Sequence, residues 1–291
     1  FLYNLVMGTP FLRRISNRMV GFHPERTMPL MAKQTLWSWL KGRKSIQSAK
    51  AVYLFVDEFT NFNDAEVGRK AVLLLEALGY EVRTLQHPIS GRSFLSKGML
   101  DEARNLAQKN VELWSGLATA ETPLVGIEPS AILTFRDEYP DLVSEESVEK
   151  AKQLAGNVFL LEEFIAREME KKRILPSAFT QEKKLLKLHG HCQQKSMSSL
   201  VAAKKALSLP ENFEVQLIPS GCCGMAGSFG YEKEHYDLSM QIGELVLFPT
   251  VRSQPAEVEI VASGTSCRHQ IHDGTQRHAK HTAEVLFEAL A

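Results

Sequence analysis

Two adjacent cysteines, Cys222 and Cys223, flanked by Gly221 and Gly224, are the residues of this chain best suited to chemistry. A disulfide between neighbours closes a strained ring. Two adjacent thiolates reach two different metal atoms of a cluster more easily than they share one. Flanking glycines let the backbone take positive φ and come close to a cofactor. Cys192 and Cys267 complete a four-thiolate set of the kind that holds iron–sulfur or zinc. All four cysteines lie within the last 100 of 291 residues. That is too sparse for a secreted disulfide scaffold, and thiolates held by metal in a reducing compartment fit better. The alternative is four buried, unliganded thiols. His189, His191, His269 and His272 surround the set, each either a ligand, a proton donor or a helix cap. With Gly221 and Gly224, His191 and His269 are the expected groups beside the cofactor. His278 and His281 read as surface residues. The run Gly224–Gly230 could cradle a phosphate, but it lacks both the dinucleotide spacing and the Walker lysine.

Elements must carry these residues to one place. Residues 1–47 show no strand and read as a helical connector. Ala51–Phe55 is a buried-strand run. Asn63 and Glu66 resemble a capping box, ahead of a helix with Val67, Ala71, Leu74, Leu75 and Leu78 on one face. Strands are expected at 81–85 and 122–127, with helices over 100–117 and from 131. Residues 145–185, rich in Glu162, Glu163, Glu168, Lys171 and Lys172, read as a solvated helical bridge. The pattern then repeats: a strand ending at 190, a helix over 194–208, a strand over 213–218, a helix over 231–248 and a strand over 257–262. Loop positions correspond at offsets of 133 to 136 residues, which implies a duplication. Alternating strands and helices imply parallel sheets with sites at the strand carboxyl ends. The fold expected is α/β, two Rossmann-like domains with parallel sheets. The organisation is a connector over 1–49, a first domain over 50–145, a bridge over 146–185 and a cysteine-bearing domain over 186–291. The first-half counterparts of Cys192, Cys222, Cys223 and Cys267 are Glu58, Ile89, Ser90 and Ala131, so that half keeps the frame without the thiols.

Composition limits the rest. At 44% hydrophobic and 23% charged, the chain has enough apolar residues for a core and is not disordered. Thirty-four basic and 34 acidic residues cancel, which gives no support for nucleic-acid binding. No apolar run approaches transmembrane length, and residues 1–20 do not read as a secretory signal. A start at Phe1 suggests a piece of a longer polypeptide.

The pattern Cys192…Cys222-Cys223-Gly224…Cys267 resembles the cysteine-rich CCG domain. That domain occurs in heterodisulfide reductase (its B component), in the iron–sulfur component of glycolate oxidase and in the C component of anaerobic glycerol-3-phosphate dehydrogenase. The pattern is more similar still to the C-terminal CCG pair of large FAD-linked oxidases of the D-lactate and D-2-hydroxyglutarate dehydrogenase type. HGHCQQKS (189–196), CCGMAGSFGYEKEHY (222–236) and GTSCRHQI (264–271) carry that likeness, with FVDEFTNFND (55–64), SKGMLDEAR (96–104) and GIEPSAILTFRDEYPDL (126–142) in the first half. The resemblance covers about residues 50–291. It implies an iron–sulfur centre of the 4Fe-4S type on the four cysteines. It also implies FAD-binding and ferredoxin-like partner domains in the same polypeptide, an unidentified electron acceptor, no turnover from this module alone, and a cytoplasmic or peripherally membrane-associated enzyme. The broader CCG pattern ends in CxxC, whereas here Cys267 is followed by Arg268, His269 and Gln270. The fifth thiolate is absent, which leaves open a four-ligand cluster, a histidine-completed one or zinc. Rival functions are a zinc-stabilised or metal-free docking module, and direct thiol–disulfide chemistry at Cys222 and Cys223, which needs a low thiol pKa.

Overall fold

A computed structural model describes residues 1–291. Eight strands form two four-stranded sheets, all parallel: β1 (Ala51–Phe55), β2 (Glu81–Arg83), β3 (Leu124–Gly126) and β4 (Val158–Leu160) in the first, and β5 (Lys184–His189), β6 (Phe213–Leu217), β7 (Glu259–Ala262) and β8 (Ala279–Lys280) in the second. The orders β2-β1-β3-β4 and β6-β5-β7-β8 are the same order repeated, so the duplication is present in topology. In each sheet the chain leaves the first strand on one side and returns on the other. The crevice therefore opens at the carboxyl ends of β1 and β3, and again at those of β5 and β7.

The strands are short and Val/Leu/Ile-rich because both faces are covered. Thirty-three buried residues form one core that runs through both halves, from Val52, Leu54 and Leu75 to Leu186, Leu188 and Leu286. The C-terminal helix Thr282–Glu288 packs on Ala65–Ala77 of the first half, and Leu161–Glu170 packs on Leu200–Leu207 of the second. No helix is long and apolar enough to cross a membrane.

Several expectations are corrected. The stretch read as a solvated bridge contributes strand β4 to the first sheet, and Glu162 and Glu168 are buried. Glu162 accepts hydrogen bonds from Gln194 (3.0 Å) and Ser263 (2.9 Å), and Glu168 accepts one from Tyr80 (2.7 Å). Its charge-rich composition hid two carboxylates that draw partners from distant segments. Asn63 does not start the helix Ala65–Ala77, whose N-cap is Asp64; it ends the helix Glu58–Phe62, and its amide donates to Leu30 O (3.1 Å). The helix expected over 194–208 breaks between Met197 and Leu200, and that over 231–248 reduces to Tyr236–Leu245 followed by Leu247–Arg252. The connector at 1–47 forms helices Leu2–Gly8, Pro10–Met19 and Leu36–Lys41, but it also reaches the far half. There Phe22 bridges to Glu232 and Arg26 is fully buried. Phe11, Leu12, Ile15 and Met19 lie exposed along Pro10–Met19, with Arg14 and Arg18 beside them.

His278 is exposed, but His281 is fully buried rather than at the surface. Its Nδ1 accepts from Ala283 N (2.9 Å), capping the last helix, and its Nε2 hydrogen-bonds Ile127 O (3.3 Å) in the first half. Burial, with Arg268 nearby, drives its pKa down to about 3. The folded imidazole is therefore neutral, while the unfolded one titrates near 6.5. Above that value the two states bind the same number of protons. Below it only the unfolded state gains one, so stability falls by about 1.4 kcal/mol per pH unit until the folded group titrates. We expect urea unfolding to show this loss as pH drops below 6.5. His281→Asn, which can still cap the helix, should flatten the slope while lowering stability at neutral pH.

Candidate metal centre

The four cysteines follow three neighbouring strands. Cys192 opens the helix after β5, Cys222 and Cys223 lie in the loop after β6, and Cys267 sits in the first turn of the helix after β7. Although they span 75 residues, their thiols form a linked series. Cys192 and Cys223 flank Cys222 as hydrogen-bond partners and hold its thiol well below the usual range. Cys223, by hydrogen bonding, and the nearby His189 ring lower Cys267 against the opposing effect of its burial. Hydrogen bonding to these neighbours, reinforced by burial, pushes Cys192 and Cys223 up. Cys192 is exposed, Cys222 half-buried, and Cys223 and Cys267 buried.

The expected cofactor-side residues divide. Gly224 has φ +100°, and a Cβ there would lie 2.2 Å from Ser239 O, so only glycine fits. Its N–H donates to Cys222 Sγ (3.3 Å). Gly221 has open space around it and no positive φ, so the second glycine has no steric requirement. His191 caps the helix Cys192–Met197 through Nδ1, while its ring lies beside Gly264 near Cys267. His269 is not among the groups that converge on the thiols. It lies two residues beyond Cys267, on another face of the helix, near Asp64 and Asp273.

Three supporting residues are not assigned by the sequence pattern. His189 stands out there only as one of four neighbouring histidines. It ends β5, and a ring atom of it lies within 4.8 Å of Cys223 and Cys267 Sγ. Its Nδ1 bonds Ser220 Oγ (2.7 Å), and its buried Nε2 has no hydrogen-bond partner. Its position at the last residue of a strand leading into Cys192 is the signal that could have found it. Lys195 donates to Ser220 O (2.7 Å) and Gly221 O (2.5 Å), fixing the backbone that leads into Cys222. Arg26 crosses from the N-terminal segment and donates to Gly230 O (2.8 Å), Gln270 Oε1 (2.7 Å), Asp273 (3.2 Å) and Ser239 Oγ (3.2 Å). Gln270 in turn donates to Ser239 O (2.9 Å), the oxygen that blocks a side chain at position 224. Arg26 therefore braces the cysteine loop from more than 200 residues away, a link no local pattern announces.

The first half has no thiols at the matching place. Glu58 accepts from Ser90 N (3.0 Å) and Ser90 Oγ (2.7 Å), and Tyr139 donates to Ser90 O (2.8 Å). Hydrogen bonds close the position that metal would occupy. The first half also reaches across: Glu128 accepts from Thr265 N (2.8 Å), and Asp64 pairs with Arg268 (2.5 Å) at the start of the Cys267 helix. Between the halves lies a cleft of about 800 Å³, onto which Cys192, Cys223 and His191 open from one wall and Phe59, Arg92 and Ser96 from the other. Its charges are largely self-paired, Arg92 with Glu138 and Lys97 with Glu232.

We expect Gly224→Ala to cost about 2 kcal/mol or more through backbone strain and the clash with Ser239. Arg26→Met should cost about 3–5 kcal/mol, because it leaves the buried Asp273 carboxylate without its partner. Denaturant unfolding of each variant checks both.

No family model matches the chain. The chain is 26% identical to D-2-hydroxyglutarate dehydrogenase of Escherichia coli K12 over 302 residues, covering 99% of this chain but 28% of that protein. It is 25% identical to the C component of anaerobic glycerol-3-phosphate dehydrogenase of the same organism, over 96% of this chain and 70% of the relative. It is 26% identical to lactate utilization protein A of Bacillus subtilis 168, over 81% of this chain and 98% of the relative. The chain thus spans little more than a quarter of the length of the hydroxyglutarate dehydrogenases it matches. The likeness read from the cysteine pattern holds: the chain is a relative of the C-terminal part of D-2-hydroxyglutarate dehydrogenases and of the C component of anaerobic glycerol-3-phosphate dehydrogenase.

Proposed function

We propose that this chain is an electron-transfer module of a 2-hydroxyacid oxidoreductase, with an iron–sulfur centre of the 4Fe-4S type held by Cys192, Cys222, Cys223 and Cys267. One observation carries the reading: four free thiols from three separate loops meet at the carboxyl ends of β5, β6 and β7. The donor set fits such a group, because four free thiols and a buried imidazole nitrogen without a hydrogen-bond partner are donors that a cation would satisfy. A cluster bound there would store and release one electron at a time.

The chain's own residues set the conditions. Gly224 N–H on Cys222 Sγ and the Lys195 ammonium nearby withdraw negative charge from the ligands, which favours the reduced state. Burial of Cys223 and Cys267 keeps water from that side, while exposed Cys192 leaves a short route for electrons to the cleft. FAD-binding and ferredoxin-like domains of the same polypeptide would deliver the electrons. The thiol-free half serves as a structural partner that closes the cleft. Four free thiols suit a reducing cytoplasm. Any peripheral membrane contact would use the exposed apolar face of Pro10–Met19.

A second reading is favoured by the compact group His189, Cys223 and Cys267, whose ligand atoms suit a single zinc ion. Metal and acid-labile sulfide analysis on anaerobically purified protein separates the two. Iron and sulfide in matching amounts, with broad absorbance near about 400 nm from thiolate-bound iron, is the expected outcome. Zinc without sulfide overturns it. Cys267→Ser and Cys222→Ser should each lose most of the iron while the far-ultraviolet dichroism is kept.

A further inference from the structure

We infer that His189 Nε2 is a direct ligand of the metal centre, supplying the donor that the cysteine pattern lacks. The inference rests on the iron–sulfur reading above and deepens it. Three observations carry it. His189 is buried, 1% exposed, at the last position of a central strand, where the backbone is fixed by pairing with Ala262 of β7. One ring nitrogen is engaged: Nδ1 bonds Ser220 Oγ at 2.7 Å, which fixes the ring and, with the proton on Nδ1, leaves the Nε2 lone pair free. That Nε2 is buried without a hydrogen-bond partner, and a ring nitrogen of His189 lies within 4.8 Å of the Cys223 and Cys267 sulfurs. An unpartnered buried acceptor is costly, and a cation shared with two sulfurs removes the cost.

Sequence order supports the same assignment. The position three residues after Cys267, where a second cysteine would complete a CxxC, is Gln270. Its amide is fully engaged, accepting from Arg26 (2.7 Å) and donating to Ser239 O (2.9 Å). Gln270 is thus a structural brace, and the coordination it cannot offer is available from the β5 end. His191 is the nearest competitor. It too is buried with its ring near Cys267, but its Nδ1 caps its own helix and it lines the open cleft between the halves. A neutral imidazole in place of a thiolate removes one negative charge from the ligand shell, and mixed His/Cys ligation raises a cluster's potential.

The test uses the anaerobically purified protein, its iron and sulfide content measured first. Pulsed electron paramagnetic resonance then compares the wild type, its ¹⁵N-histidine-labelled form, and the variants His189→Ala, His189→Cys and His191→Ala. The expected result is a strong nitrogen coupling in the wild type that changes isotope with labelling. It should be lost in both His189 variants and kept in His191→Ala. His189→Cys should retain iron and shift the midpoint potential downward, as an added thiolate demands; it stands in where His189→Ala fails to assemble. A cluster present with no strong nitrogen coupling, or with only the weak coupling of an N–H···S hydrogen bond, overturns the inference and leaves the electron-transfer reading intact. So does coupling that disappears in His191→Ala instead. Absence of iron and sulfide from the wild type overturns the reading itself.

Discussion

Neither sheet can cover its own faces, and that constraint organises the molecule. A four-stranded parallel sheet needs apolar cover on both sides. Here each half lends helices to the other: Thr282–Glu288 lies on the first half, and Leu161–Glu170 on the second. One continuous core results. Joining the halves this way sets the crevice ends of the two sheets facing each other across a cleft. A half without thiols is therefore retained for a physical reason, because without it the cysteine-bearing sheet would expose a face of Leu and Val.

Around this core the charged contacts act mainly as registration. Asp64 with Arg268, Glu128 with the Thr265 amide, and Arg26 with Asp273 all join segments far apart in sequence, and all lie at the start or along the side of the Cys267 helix. Buried ion pairs contribute little net stability, but they disfavour alternative packings in which one partner is stranded. The helix that carries Cys267 is thus located from three directions, and Gly224 is pressed against the same framework through Ser239 and Gln270. The thiols are gathered by a scaffold held mainly through its own hydrogen bonds and ion pairs.

Much of this is legible in the sequence. Buried strands such as Ala51–Phe55 and the duplicated loop spacing carry enough period and punctuation to specify two parallel sheets, and the cysteines fall where such sheets place sites. What escapes is written in distant partners. β4 is three residues long inside a charge-rich stretch, too short to stand out. Glu162 and Glu168 look like surface residues because their partners, Ser263, Gln194 and Tyr80, are remote. His281 looks exposed because its acceptor, Ile127, belongs to the other half. Arg26 sits among scattered N-terminal arginines with nothing local to distinguish it. His189 is visible as a residue type, but its free nitrogen is a property of the folded environment.

The Arg26 brace has a consequence for how occupancy could be judged. The cysteine loop is held by a guanidinium, an amide and a blocked glycine, so its course is set by the chain's own contacts. A group bound there would add its own affinity to the stability that the clasp supplies. Global unfolding would then report clasp and any bound group together, so a lowered midpoint alone would not say which of them had been lost.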